Sequence, residues 1–327
     1  MATDGNRHIW NERLGLAALD PLVLARLGIF ALTWGLLYIM FYVYGSYVDV
    51  ERFGRSAIGW LINRWNYGGD FSHGYLIPFV TFGLLWVRRH ELAEAPKRVS
   101  GVGLAVIVLA LALHWLGAKA EQTRLSLTAL IMLFWGIPFY LYGWHVAKVI
   151  LFPVAYLMFC LPWQFLENST LPLRMMAAWL ATGVLNGLGL ESVRQGSAIY
   201  SSVAGGFSFD VADPCSGLRS IVAMTALTAV YANLTQRTLL KKWLLFLCAA
   251  PIAVLGNMMR IVTIAMVAQA FGNDVAVGLY HDYSGYIIFA VGITAMVSFG
   301  AILNSNWREV FAKWKQSLLH PVAGSAP

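Results

Sequence analysis

The sequence predicts an all-α integral membrane protein, a polytopic bundle of about eight transmembrane helices with one interfacial helix and a small extracytoplasmic hairpin. Three observations carry that expectation. Hydrophobic residues make up 59% of 327 and charged residues only 12%, whereas a soluble domain is about a quarter charged. Apolar runs of about 17 to 25 residues recur along almost the whole chain, each long enough to cross ~30 Å of hydrocarbon. The 23 Lys and Arg residues, which give a formal net charge of +7, cluster in short stretches between those runs, where they orient a chain in a bilayer. No basic helix or RNA-binding pattern accompanies them, so nucleic acid is not an expected partner.

Taken in order, residues 1–20 are polar (Asp4, Arg7, Glu12, Arg13) and precede a long apolar run, Leu22 to Tyr44. No small-residue cleavage pattern follows that run, so it is read as a retained span with a cytoplasmic N-terminus. Further spans are expected near 72–87, 102–118, 125–142, 146–162, 216–234, 243–269 and 284–303, with residues 304–327 as a cytoplasmic tail. One membrane domain over 1–327 is the simplest organisation. The segment 171–190 is also apolar, but Arg174, Asn186 and several glycines interrupt it.

Basic clusters at Arg88, Arg89, Lys97 and Arg98, at Arg237, Lys241 and Lys242, and at Arg308, Lys313 and Lys315 belong on the cytoplasmic side. Counting spans from a cytoplasmic N-terminus then leaves 171–190 as a segment that does not cross fully, and puts 191–215 and 270–283 outside. The stretch Val193 to Val211, with Gly196, Gly205 and Gly206 and the alternation Phe207, Ser208, Phe209, reads as a hairpin.

The most informative run is Asp213, Pro214, Cys215, Ser216, Gly217, Leu218, Arg219, Ser220, followed at once by an apolar helix from Ile221. Pro214 suits a first helical turn and Asp213 an N-cap, which puts Cys215 in that turn. A helix N-terminus lowers a thiol's pKa, and Arg219 one turn along adds positive charge, while Asp213 pushes the other way. The competing reading of Cys215 is a small hydrophobe at a helix start. Cys160 and Cys248 have only apolar company and are assigned to packing. Three cysteines form no disulfide scaffold.

Asn257, Met258, Met259 and Arg260 lie deep in an apolar run, and an arginine there costs ~2.5 to 3.5 kcal/mol on insertion scales. Such a residue faces a polar cavity, or it snorkels to headgroups. A rise of 1.5 Å per residue carries Arg260 about 25 Å from Trp243, near the outer interface. Asn257 shares its face at i+3 and either orients it or joins two helices. His281, in Tyr280, His281, Asp282, Tyr283, Ser284, Gly285, is either a proton shuttle or an interfacial hydrogen-bonder. Cysteine attack on an amide needs a thiolate, an acid and base, and donors for the oxyanion, roles that Cys215, His281 and Arg260 supply together. One Cys and one or two His fall short of a zinc site, so neither metal nor cofactor is expected.

In this order the Cys215 to Ser220 block, the Asn257 to Arg260 motif and the His281 to Gly285 motif resemble the three signatures of the exosortase and archaeosortase family. Asp70 to Pro78 (Asp-Phe-Ser-His-Gly-Tyr-Leu-Ile-Pro) and Phe152 to Pro162 are similar to further blocks of it, so the resemblance covers roughly 65–303. It implies a multi-pass cysteine protease and transpeptidase of the cytoplasmic (inner) membrane with its site on the extracytoplasmic, periplasmic face. The implied partners are exported proteins with a C-terminal tripartite tail, namely a signature such as Pro-Glu-Pro, one transmembrane helix and a basic end, together with membrane lipids and an acceptor nucleophile. Cys215 would form a thioester, Arg260 would stabilise the oxyanion and His281 would move the proton. Ser216 and Gly217, beside the cysteine, are supporting positions, with Ser216 a cap or oxyanion donor. His73 either lines the site or makes an interfacial turn.

Two other classes stay in view. A transporter would use Arg260 to bind an anion near the midplane, and a membrane thiol oxidoreductase would need a paired cysteine motif that the chain lacks. A purely structural protein leaves Arg260 without a role.

Overall fold

The computed structural model describes residues 21–44, 56–66, 71–203, 206–210, 218–276 and 281–305. Helix dominates them, as expected for an all-α membrane protein. Among the described residues, three helices are long and apolar enough to cross a membrane, Gly101–Lys119, Thr123–Tyr142 and Leu239–Phe271, and shorter apolar helical stretches accompany them. The chain forms two compact units, Met1–Tyr67 with Gly83–Met158, and Gly68–Phe82 with Phe159–Pro327.

In the first unit, helix α1 (Pro21–Tyr38) passes into a π turn at Ile39–Val43. Its apolar side chains, Ile29, Phe30 and Leu32 among them, are more than 60% exposed, as lipid contact requires. Helix α2 (Ala57–Asn66) falls where the apolar runs suggest no span. It is too short to cross and carries Asn63 and Arg64, yet it buries Trp60, Leu61 and Trp65. Arg64 and Arg124 both stand over the Trp60 ring, at 5.4 and 5.6 Å, a cation–π arrangement. A 3₁₀ turn at Ser72–Tyr75 and the start of α3 (Leu76–Val87) belong to the second unit, while the rest of α3 and α4 (Arg89–Glu94) belong to the first, so part of the first basic cluster is helical rather than loop.

Helices α5 (Gly101–Lys119) and α6 (Thr123–Tyr142) pack as an antiparallel pair. Glycines form the seam, since a Cβ at Gly103 would overlap the Tyr140 backbone and one at Gly117 would come 2.9 Å from Ser126 N. Between apolar helices in lipid, such close backbone approach is the main source of association. Arg98 N–H and Ser100 N–H donate to the carbonyls of Tyr142 and Tyr140 (3.2 and 3.0 Å), satisfying acceptors that the end of α6 leaves open. Helix α7 (Trp144–Tyr156) contains Pro153, which cannot donate to the carbonyl four residues back, that of Val149. Arg88 Nη1 takes that place at 3.2 Å.

In the second unit, the expected interfacial segment is one helix, α8 (Gln164–Gly187), beginning earlier than the 171–190 run. The expected hairpin is a three-stranded antiparallel sheet, β1 (Ser192–Gln195), β2 (Ala198–Ser201) and β3 (Ser208–Asp210), in the order β1-β2-β3. Gln195 pairs with Ala198, leaving a two-residue turn whose first residue, Gly196, has φ 64°, a backbone that glycine adopts without strain. Ile199 and Phe207 join α8's Ala178 and Leu185 in one buried cluster with Ile261 and Ala265 of the long helix α10 (Leu239–Phe271). Helices α9 (Leu218–Thr235) and α11 (His281–Asn304) complete the unit.

The register of these last three helices follows from their contacts. Thr228 Oγ1 of α9 lies 3.2 Å from Met296 Sδ of α11, a separation of 68 in sequence, and Met224 meets Gly292 at the same separation. A constant difference means that α9 and α11 run parallel. Helix α10 runs against both, its Leu245 clustering with Ala232 and Met296, and its Ile252 lying near Gly292.

Candidate active site

A cavity of about 50 Å³ lies among α9, α10 and α11. Its floor is apolar: Met224, Ile252 and Ala253 meet Gly292, whose missing side chain makes room for the Met224 methyl. Its other end is polar, with Asn257 and Arg260 from α10 facing Gly285 of α11. A Cβ at Gly285 would meet nothing within 4 Å, so this wall is open. A volume near 50 Å³ holds a few water molecules and admits a functional group rather than a folded segment.

Asn257 is only 7% exposed, while Arg260 is half-buried. Three residues apart, they present one face of α10 to the cavity. The hydroxyl of Thr263 lies 3.0 Å from the Arg260 carbonyl. Arg260 stands 17 residues beyond Trp243 and 11 before Phe271, which is about 25 Å from the first and about 17 Å from the second along the axis. The helix therefore continues well past the arginine.

The structure brings together Asn257, Arg260 and Gly285. His281 is the first residue of α11, one turn before Gly285, and Arg219 is the second residue of α9. Asp213, Cys215, Ser216 and Gly217 lie outside the described residues. His73 sits in the 3₁₀ turn before α3, its ring 6.0 Å from that of Phe71 and both nitrogens buried, and it is not among the described residues that line the cavity. Of the other cysteines, Cys160 is 6% exposed at the end of a 3₁₀ turn and Cys248 is half-buried on α10, positions that suit packing. Among the described residues no group of three or more His, Cys, Asp or Glu could hold a metal ion.

Sequence reasoning missed Met224, Phe289 and Gly292 as cavity walls. The signal was available in part, because Gly285 and Gly292 are seven residues apart in an apolar run and so lie on one helical face.

Apolar helices around an arginine-bearing cavity define a multi-pass membrane protein with a polar site built inside its bundle. Residues 65–298 match the transmembrane exosortase family, and the chain belongs to that family. Membership carries a sorting-related transpeptidase role in general. Neither a curated protein nor a solved structure matches the chain.

Proposed function

We propose that this protein is a cysteine endopeptidase and transpeptidase that cuts the C-terminal sorting tail from exported proteins and transfers them to an acceptor. In this reading the chain crosses the cytoplasmic membrane eight times and works on its extracytoplasmic face. The Cys215 thiolate attacks the carbonyl carbon beside the tail signature, forming a C–S bond. Arg260 donates to the oxyanion. As the C–N bond breaks, the imidazolium of His281 gives its proton to the leaving amine. An acceptor amine then attacks the thioester, the C–N bond forms as the C–S bond breaks to release the thiolate, and the amine's proton returns to His281, so the thioester conserves the energy of the cleaved bond where no ATP is at hand. Asn257 orients Arg260, while Ser216, Gly217, Arg219 and Asp213 shape the nucleophile's helix start.

The observation that carries this reading is the convergence of Asn257, Arg260 and Gly285 on one cavity. The 68-residue offset of α9 and α11 brings Leu218 level with Tyr286, next to Gly285. Cys215 is three peptide links from Leu218, a tether of at most about 11 Å. His281 is one turn from Gly285 on the same helix.

The test is co-expression with an exported reporter bearing a tripartite tail, comparing the wild type with Cys215→Ala and Cys215→Ser. Tail removal should cease in both variants while the protein still accumulates in the membrane. Undiminished processing by Cys215→Ala would end the peptidase reading and leave anion binding at Arg260 as its successor.

A further inference from the structure

The two edges of the small sheet are not alike. In an antiparallel ladder, successive residues turn their backbone groups to opposite sides, and two bonds fix the phase here. Ser202 N–H donates to Glu191 C=O (2.9 Å) and Ser201 N–H to Phe207 C=O (2.8 Å). Ile199 therefore exchanges bonds with its partner Phe209, and the N–H and C=O groups of Ser208 and Asp210 face away from β2.

On the opposite edge, the same phase turns Ser192 outward, and the side chain of Asn186 meets it. Asn186 Oδ1 accepts from Ser192 N–H at 2.7 Å and its Nδ2 donates to Ser192 C=O at 3.2 Å. That amide imitates a neighbouring strand. Among the described residues no strand pairs with the outer edge of β3. The sheet is firmly seated, with Ile199 fully buried and Phe207 3% exposed in the cluster formed with α8 and α10. A strand edge without a neighbouring strand recruits extended peptides through its backbone, and β3 is anchored through the buried Ile199 and Phe207 beside it.

The geometry points to β3 as the docking strand for substrate: an extended segment of the exported protein, next to its scissile bond, adds to Ser208–Asp210 as a fourth strand. This rests on the peptidase reading above. Asp210 precedes Cys215 by five residues, a reach of at most about 18 Å, so a peptide on β3 is within range of the proposed nucleophile. Backbone pairing also fixes the register of the substrate while leaving its side chains free to vary.

The test uses the full-length protein in detergent with synthetic tail peptides, N-methylated at one amide at a time through the region of the scissile bond. Pairing predicts a period of two, with cleavage falling at least tenfold at alternate positions and less than twofold between them. A profile without that alternation overturns the proposal. In the protein, Ser208→Pro deletes one outward N–H and leaves the β2 ladder intact, and a tenfold or greater loss is expected. Arg194→Pro, the matched change on β1, should keep processing within about twofold of the wild type, whereas equal losses in both would mean that the sheet is merely structural. Cys215→Ala separates the two ideas. If it still cleaves, the peptidase reading fails, but if it is inactive while Ser208→Pro and every methylated peptide behave as wild type, strand docking alone falls.

Discussion

Replacing Arg88 by Ala probes how this fold satisfies a carbonyl that a proline leaves without its helical donor. Pro153 leaves the Val149 carbonyl without its usual i+4 donor, and Arg88 Nη1 donates to it at 3.2 Å across 61 residues of sequence. Leaving a partly buried acceptor without a donor costs up to about 1–3 kcal/mol. Arg88→Ala should therefore lower the thermal midpoint of the purified protein in mild detergent by several degrees. Pro153→Ala restores an N–H that can bond Val149 within α7, so adding Arg88→Ala to that background should cost little. The two changes together should differ from the sum of the singles by about 0.5–3 kcal/mol, the range found for residues sharing a hydrogen-bond network. If Arg88→Ala destabilises both backgrounds equally, its guanidinium does not substitute for the missing amide and the argument fails.

Gly103→Ala forces a Cβ onto the Tyr140 backbone, and such overpacking should destabilise the α5–α6 pair by about 1–3 kcal/mol in the same melt; an unchanged midpoint would refute the seam. Asn186→Ala removes three hydrogen bonds to Ser192, two of them to its backbone, so the Ser192 amide should exchange with deuterium faster by mass spectrometry while α5 and α6 stay protected. Arg260→Ala should reduce tail processing by about 10²–10³-fold, the loss seen when an oxyanion donor is deleted, with the melting profile little changed. Arg260→Lys should recover little of it, because lysine lacks the forked donor geometry, and full activity with lysine would reduce Arg260 to a point charge.

Much of this architecture can be read along the chain because lipid imposes a simple code. The runs at 102–118, 125–142 and 243–269 become helices Gly101–Lys119, Thr123–Tyr142 and Leu239–Phe271, since length and apolarity alone select a spanning helix. Asn257 and Arg260 are conspicuous for the same reason, as polar groups in an apolar run need a polar destination. Helix α2 is hidden, because ten residues with an arginine satisfy no span criterion and acquire their purpose only when Trp60 packs beneath Arg64 and Arg124. The partnership of Arg88 with Val149 is equally invisible, because Pro153 announces a missing donor but not what replaces it. Phe207, Ser208 and Phe209 suggest a strand, yet which backbone groups point outward depends on the pairing with β2.

By itself, then, the sequence determines that the chain lives in a bilayer, roughly where its helices run, and which few polar residues demand an explanation. The tertiary structure alone decides that α9 and α11 lie side by side with an offset of 68 residues, so that Arg260 and Gly285 meet across one cavity. The reason is that lipid tails are as apolar as a helix surface. A membrane helix needs no hydrophobic stripe turned toward its neighbour, so hydropathy marks the spans without naming their partners. That choice falls to close fits such as the Met224 methyl against Gly292, which exist only once the helices are together.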